Sequence, residues 1–218
     1  IYVALEISSY SLYAVLPLRS NNRTAAEAGV KYILFGAAAT AIALYGFSLI
    51  LAGGSSSYLA ELRGFDFSFA ANPAACLGIL LFLCGMFFKL ALFPFHFWCP
   101  DVYQGASNET AAFVATLPKL GAIVILIRFG ELLVPGGDVT LVLAVLGALS
   151  MTYGNLSALA QTDIKRMLGY SGVAHAGYVT LGLVACSGAG LGAAAFYAVV
   201  YIIMNLACFL VVSSLSPE

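Results

Sequence analysis

Long apolar stretches, separated by short polar ones, dominate the chain from one end to the other. A helix needs about 20 mostly apolar residues to cross a bilayer core of roughly 30 Å. Seven stretches approach or exceed this length, and they cover residues 1–18, 26–52, 73 into the 90s, 111–134, 139–160, 167–186 and 190–214. Turn-forming sequences such as Pro135-Gly136-Gly137-Asp138 separate them. The pattern predicts an all-α fold class, a polytopic transmembrane helical bundle with about seven spans.

Composition supports a membrane protein and excludes several other classes. Of the 218 residues, 62% are hydrophobic and only 9% are charged, whereas a soluble domain is roughly a quarter charged. The lipid bilayer is therefore an expected partner. The net charge of −1 gives no basic surface for nucleic acid, so we expect no nucleic-acid partner. The five cysteines show no C-x-x-C spacing, so neither a zinc site nor a dithiol redox motif is indicated.

We interpret residues 1–218 as a single transmembrane domain. The first residue is Ile1 rather than Met, and it lies inside the first apolar stretch. We therefore expect the sequence to be a fragment of a longer chain.

The distribution of loop cations predicts the orientation of the bundle. With seven alternating spans, the loop after the first span and the loop before the sixth lie on one face. The cations in or beside these loops are Arg19, Arg23, Lys31, Lys165 and Arg166. The opposite face has only Arg63, so the positive-inside rule places the first face in the cytoplasm or mitochondrial matrix. The loop after the third span, with His96, Asp101 and Glu109, falls on the same face and contains no Lys or Arg.

Among the ionisable residues inside the predicted spans, Glu6, Lys89, Lys119 and His175 are the candidate functional residues. Arg128 and Glu131, near the far end of the fourth span, are interpreted as an interfacial i,i+3 pair. A charged side chain at the centre of a membrane helix costs about 2.5–3.5 kcal/mol on insertion scales, so such residues are usually paired or functional. A lysine in this environment changes its charge state readily and can carry a proton. Two structural interpretations stay open: Glu6 as a hydrogen-bonded or neutral carboxyl, and His175 as a packing residue.

Pro94 predicts an interrupted helix directly after the buried Lys89. Proline lacks the backbone N–H and clashes with the carbonyl four residues earlier, so it ends or kinks a helix. Broken helices at membrane depth occur where they line a polar cavity, and they often mark ion sites. A broken helix, two buried lysines and a carboxylate together indicate a path for protons or cations.

Two long motifs resemble a known family. The run over residues 88–106, which includes Pro100-Asp101-Val102-Tyr103-Gln104-Gly105-Ala106, resembles the signature of the antiporter-like subunits of respiratory complex I. The run over residues 161–178 is similar to a second signature of these subunits. The first motif, together with the first two spans, is closest to the subunit N family, which includes mitochondrial subunit 2.

The resemblance implies roles for the buried residues. It implies that Glu6 pairs with Lys89 of the broken helix, that Lys119 passes protons towards the membrane centre, and that His175 connects the polar axis. It also implies an antiporter-like inverted-repeat fold in a proton-translocating, non-redox subunit of an NADH–quinone oxidoreductase. This sequence would then be a fragment of that subunit, with the first spans and the C-terminal spans missing. NADH, flavin and iron–sulfur clusters are then expected in partner subunits, and no cofactor is expected in this chain.

The expected partners are other membrane subunits of complex I, including neighbouring antiporter-like subunits. The expected location is a bacterial plasma membrane or the mitochondrial inner membrane. Three alternatives stay open: a sodium/proton antiporter subunit of the Mrp type, a membrane subunit of a related hydrogenase complex, and a structural spacer. Three protonatable Lys and His groups, without an Asp/Ser/Thr cage for sodium, favour the proton as the ion.

Overall fold

The computed structural model describes residues 2–16, 23–54, 56, 58, 61–63 and 65–216. Within these residues the chain forms eight α-helices and no β-strand. The helices are α1 (Tyr2–Val15), α2 (Arg23–Gly54), α3 (Pro73–Leu90), α4 (Trp98–Gly105), α5 (Asn108–Gly130), α6 (Asp138–Leu159), α7 (Ile164–Val184) and α8 (Gly188–Leu215). The all-helical prediction is confirmed.

Each of the seven predicted spans corresponds to a long helix. Five of them, α2, α3, α5, α6 and α8, are long and apolar enough to cross a membrane. Helix α1 is described over 14 residues only. Helix α7 has 21 residues and is more polar, since it carries Lys165, Arg166 and His175 together with four glycines and two tyrosines.

The interpretation of the segment after the third span as a loop was wrong. Asp101 lies in the eight-residue helix α4, and Glu109 lies in the first turn of α5. Helix α4 is too short to give a hydropathy signal, and it contains a proline. Pro100 lies in the first turn, where a proline N–H would be unpaired anyway, and Asp101 favourably faces the positive end of the helix dipole.

Glycines bring neighbouring helices into close contact. A Cβ atom placed on Gly46 of α2 would lie 2.5 Å from the carbonyl oxygen of Gly78 in α3. A Cβ atom on Gly177 of α7 would similarly lie 2.7 Å from the carbonyl oxygen of Gly147 in α6. Small residues at such crossings allow the backbones to approach, which is how transmembrane helices gain packing energy.

The predicted interruption near Pro94 is present. Helix α3 ends at Leu90, four residues before the proline, and Ala91 adopts a left-handed conformation with φ of 60°. The backbone groups freed by the break find side-chain partners: Trp98 Nε1 donates to the Phe88 carbonyl at 2.8 Å, and the Phe93 N–H donates to Ser150 Oγ at 3.2 Å. These bonds are needed because an unpaired backbone group is costly inside a membrane.

Candidate functional site

A buried ion pair joins α1 to the end of α3. Lys89 Nζ lies 3.0 Å from Glu6 Oε1, and the two side chains are only 5% and 9% exposed. Lys89 is in the last turn of α3, one residue before the helix ends, so its position depends directly on the break. The sequence-based pairing of these two residues agrees with this geometry.

Two hydroxyl groups form hydrogen bonds with the pair. Lys89 Nζ donates to Ser9 Oγ at 2.8 Å, and Thr40 Oγ1 of α2 donates to Glu6 Oε2 at 2.9 Å. Ser9 lies three residues after Glu6, so both side chains project from one face of α1. The carboxylate and the ammonium therefore each have a neutral partner in addition to one another. This arrangement allows either group to change charge without losing all of its hydrogen bonds.

The second lysine lies in a separate, fully enclosed position on α5. Lys119 is 2% exposed, and its Nζ donates to Tyr201 Oη of α8 at 3.2 Å. Cys99 Sγ of α4 lies 3.9 Å away, and the Tyr103 ring centre lies 5.5 Å from Nζ. No carboxylate forms an ion pair with Lys119 within the described residues. A buried lysine whose partners are neutral holds a proton that can be exchanged.

His175 on α7 is half-buried beside this lysine. Its Nδ1 atom lies 2.5 Å from Tyr197 Oη, and its ring centre lies 5.1 Å from that of Tyr201. His175 and Lys119 line the same small cavity, together with Leu90, the residue that follows Lys89. The structure thus brings Lys119 and His175 together at one cavity. Lys89 directly precedes Leu90, which lines the same cavity.

A charge cluster ties the start of α2 to α4 and α7. Asp101 accepts a hydrogen bond from Lys31 Nζ at 2.8 Å and one from Arg166 Nη1 at 2.6 Å. Burial acts to raise the pKa of Asp101, but these hydrogen bonds and positive charges outweigh it and hold the pKa below its usual value. The two positively charged loop regions therefore meet at one end of the bundle, as predicted. Arg23 begins α2, whereas Arg19 lies outside the described residues.

No metal-binding group is evident in the part of the chain that the structure describes. No three His, Cys, Asp or Glu side chains there lie close enough together to hold an ion. The chemistry that these residues support is proton transfer between a carboxylate, two lysines, a histidine and nearby hydroxyl groups.

A family model described as "NADH:quinone oxidoreductase/Mrp antiporter, TM" matches residues 1–218. The chain belongs to this family. It is similar to "NADH-quinone oxidoreductase subunit N 2" of Solidesulfovibrio magneticus, with 62% identity over 100% of this chain and 47% of the relative. The resemblance to subunit N that the sequence motifs indicate is therefore confirmed. The chain spans about half the length of the curated relatives it matches.

Solved structures contain the same fold. A chain of respiratory complex I from Thermus thermophilus with bound aureothin matches 97% of this chain and 45% of its own length, with 40% identity and a TM-score of 0.83. A chain of the Mrp complex from Dietzia sp. DQ12-45-1b matches 97% of this chain and 40% of its own length, with 24% identity and a TM-score of 0.87. The Mrp match shows a shared fold alone, whereas the complex I match is also close in sequence.

Sequence reasoning missed the neutral members of the site. They are Ser9, Thr40, Cys99, Tyr197 and Tyr201. Polar groups in apolar helices are a weaker signal than charges, and Thr40 and Cys99 follow no pattern. The tyrosines could have been found, because Tyr197 and Tyr201 are four residues apart and so share one face of α8.

Proposed function

We propose that this chain is part of a proton-translocating membrane subunit of an NADH–quinone oxidoreductase. The observation that carries the proposal is the buried Glu6–Lys89 pair at the end of a broken helix. Such a pair costs several kcal/mol of desolvation, and that cost argues for a use beyond stability. Similarity to subunit N relatives supports the choice of complex, and the lower identity to the Mrp chain makes that alternative weaker.

The residues have distinct roles in this proposal. Formation and separation of the Glu6–Lys89 ion pair changes the electrostatic potential at Lys119, because charges interact strongly where water is scarce. A proton leaving Lys119 moves to His175, which borders the same cavity. The chain does no redox chemistry itself. NADH, flavin and iron–sulfur clusters belong to partner subunits, and their reactions drive the cycle.

The partners and the orientation belong to the same proposal. Other membrane subunits, including neighbouring antiporter-like subunits, would flank this chain in the complex. The end of the bundle that carries Lys31, Lys165 and Arg166 would face the cytoplasm or mitochondrial matrix. A reporter attached beside Lys165 and tested for access from each side of oriented vesicles would check this placement.

Purification of the full-length protein with its native partners in mild detergent tests the proposal. We expect the purified assembly to catalyse NADH-dependent reduction of quinone. Isolation with antiporter-like subunits alone, without redox activity but with sodium-dependent pH changes in vesicles, would contradict the proposal and support the Mrp-type alternative.

A further inference from the structure

Tyr201 lies between the second lysine and the histidine. Its hydroxyl accepts the hydrogen bond from Lys119 Nζ at 3.2 Å, and its ring centre is 5.1 Å from that of His175. The tyrosine is only 5% exposed. Its hydroxyl can accept one proton while it donates its own, so it can pass a proton on without carrying a lasting charge.

A cavity beside Tyr201 has room for one water molecule. Its volume is about 10 Å³; its lining is mostly apolar, and its three polar lining residues are Lys119, His175 and Tyr201. A buried site holds a water molecule when it has this much room and two to four polar partners. When Nδ1 of neutral His175 carries the hydrogen and donates it to Tyr197 Oη, Nε2 is the unprotonated ring nitrogen that can accept a proton from a water molecule.

Gly172 of α7 keeps this region open. A Cβ atom at this position would lie 2.7 Å from Lys119 Nζ, 3.0 Å from Tyr201 Oη and 3.8 Å from Tyr103 Oη. Distances below about 3.4 Å are tighter than ordinary contacts, so a side chain here would displace the lysine or the tyrosine. Glycine at position 172 therefore preserves the contact between Lys119 and Tyr201.

We propose that the Tyr201 hydroxyl is the relay through which a proton passes from Lys119 to His175. Lys119 gives a proton to Tyr201 Oη while Tyr201 gives its hydroxyl proton to a water molecule that enters the cavity. That water molecule gives one of its own protons to His175 Nε2. Lys119 ends neutral and His175 ends positively charged, while the tyrosine and the water are unchanged and no electrons move. This inference rests on the proposed function.

A purely structural role for Tyr201 predicts a different outcome for a conservative variant. The ring also lies over the lysine, with 5.6 Å between Nζ and the ring centre. Tyr201→Phe keeps that ring and its packing and removes only the hydroxyl. If packing alone mattered, the variant would behave like the wild type.

The experiment compares variants in the full-length protein within the intact, reconstituted complex. Proton uptake or release is measured over a range of pH, in H₂O and D₂O, during NADH oxidation. We expect Tyr201→Phe to lower the rate of proton translocation about tenfold or more and to change its pH profile and solvent isotope effect. Gly172→Ala should have a similar effect. Gly192→Ala is the matched control, because a Cβ atom there would contact nothing within 4 Å.

Lys119→Met separates failure of the relay from failure of the proposed function. If Lys119→Met abolishes translocation while Tyr201→Phe and Gly172→Ala leave it normal, the relay is overturned and the proposed function stands. If Lys119→Met itself translocates protons normally, the proposed function fails and the relay fails with it. If Tyr201→Phe does not assemble, Gly172→Ala decides: a normal rate, pH profile and isotope effect overturn the relay.

Discussion

Lys89 Nζ and Glu6 Oε1 are 3.0 Å apart, with both side chains almost wholly buried. The contact joins α1 to the last turn of α3, immediately before the helix is broken. Removing one partner of a buried pair leaves an uncompensated charge, whereas replacing both partners with neutral side chains can be almost without cost. Stability and transport therefore respond differently to single and double substitutions at this pair.

Glu6→Gln should destabilise the protein by about 3–5 kcal/mol, because it leaves the Lys89 ammonium buried without its counter-charge. The double variant Glu6→Gln/Lys89→Met should recover most of that loss and yet remain unable to translocate protons. Unfolding in mixed micelles measures the stability of each variant. Thr40→Val is the control, since it removes one neutral hydrogen bond and should cost about 1 kcal/mol. Equal free energies of unfolding for Glu6→Gln and Thr40→Val would show that the loss of the counter-charge of Lys89 is not costly.

Ser150→Ala should destabilise the segment that connects α3 to α4. Ser150 Oγ accepts the Phe93 N–H and donates to the Val173 carbonyl at 2.7 Å, so its loss leaves two backbone groups without this partner. We expect a loss of about 1–3 kcal/mol in the free energy of unfolding. Ser48→Ala, which removes an exposed hydroxyl bonded within its own helix, should change it by less than about 0.5 kcal/mol. Similar losses for both variants would argue against a special role for Ser150.

Gly78→Val should disturb the packing of α3 against α2. A Cβ atom at Gly78 would lie 2.8 Å from the Gly46 carbonyl oxygen, which is backbone and cannot move aside cheaply. We expect a loss of about 1–3 kcal/mol or more, as for other overpacked sites. Thermal unfolding of the purified protein measures it, with Gly192→Val as the control. An unchanged melting temperature would show that the helices can separate without cost.

Asp101→Asn should reduce stability at neutral pH and have little effect in acid. The folded protein holds the pKa of Asp101 below its usual value, so its stabilising effect is present above about pH 4 and is lost as the pH falls further. Both cationic partners are partly exposed, so we expect the free energy of unfolding of Asp101→Asn to be about 1 kcal/mol lower than that of the wild type at pH 7. Trp98, the single tryptophan of the chain, lies in the same short helix and reports unfolding by fluorescence. A difference that is independent of pH would contradict this mechanism.

The strong signals in the sequence predicted the long helices and the charged members of the site. The lengths of the apolar stretches predicted the seven long helices, and Pro94 predicted the interruption after Lys89. Both signals depend only on residues that are close together in the sequence. The short helix α4 was missed, since its stability comes from packing against α2 and α7 and from the bonds of Asp101. Tyr201 was missed because its role depends on which face of α8 meets α5. The i, i+4 spacing of Tyr197 and Tyr201 is visible in the sequence, but their contacts with His175 and Lys119 become evident only when the helices are assembled.

In the proposed function, proton translocation depends on the buried Glu6–Lys89 pair, and the proton yield of the Lys89→Met complex tests this dependence most directly. Methionine keeps the length of the side chain and removes the charge. The complex is reconstituted in vesicles, and the protons moved per NADH oxidised are compared with those of the wild type and the Ser48→Ala control. We predict that the proton yield, or the rate of NADH oxidation coupled to it, falls severely in Lys89→Met and stays at the wild-type level in Ser48→Ala. A normal yield at a normal rate of NADH oxidation would contradict the account and support a structural spacer.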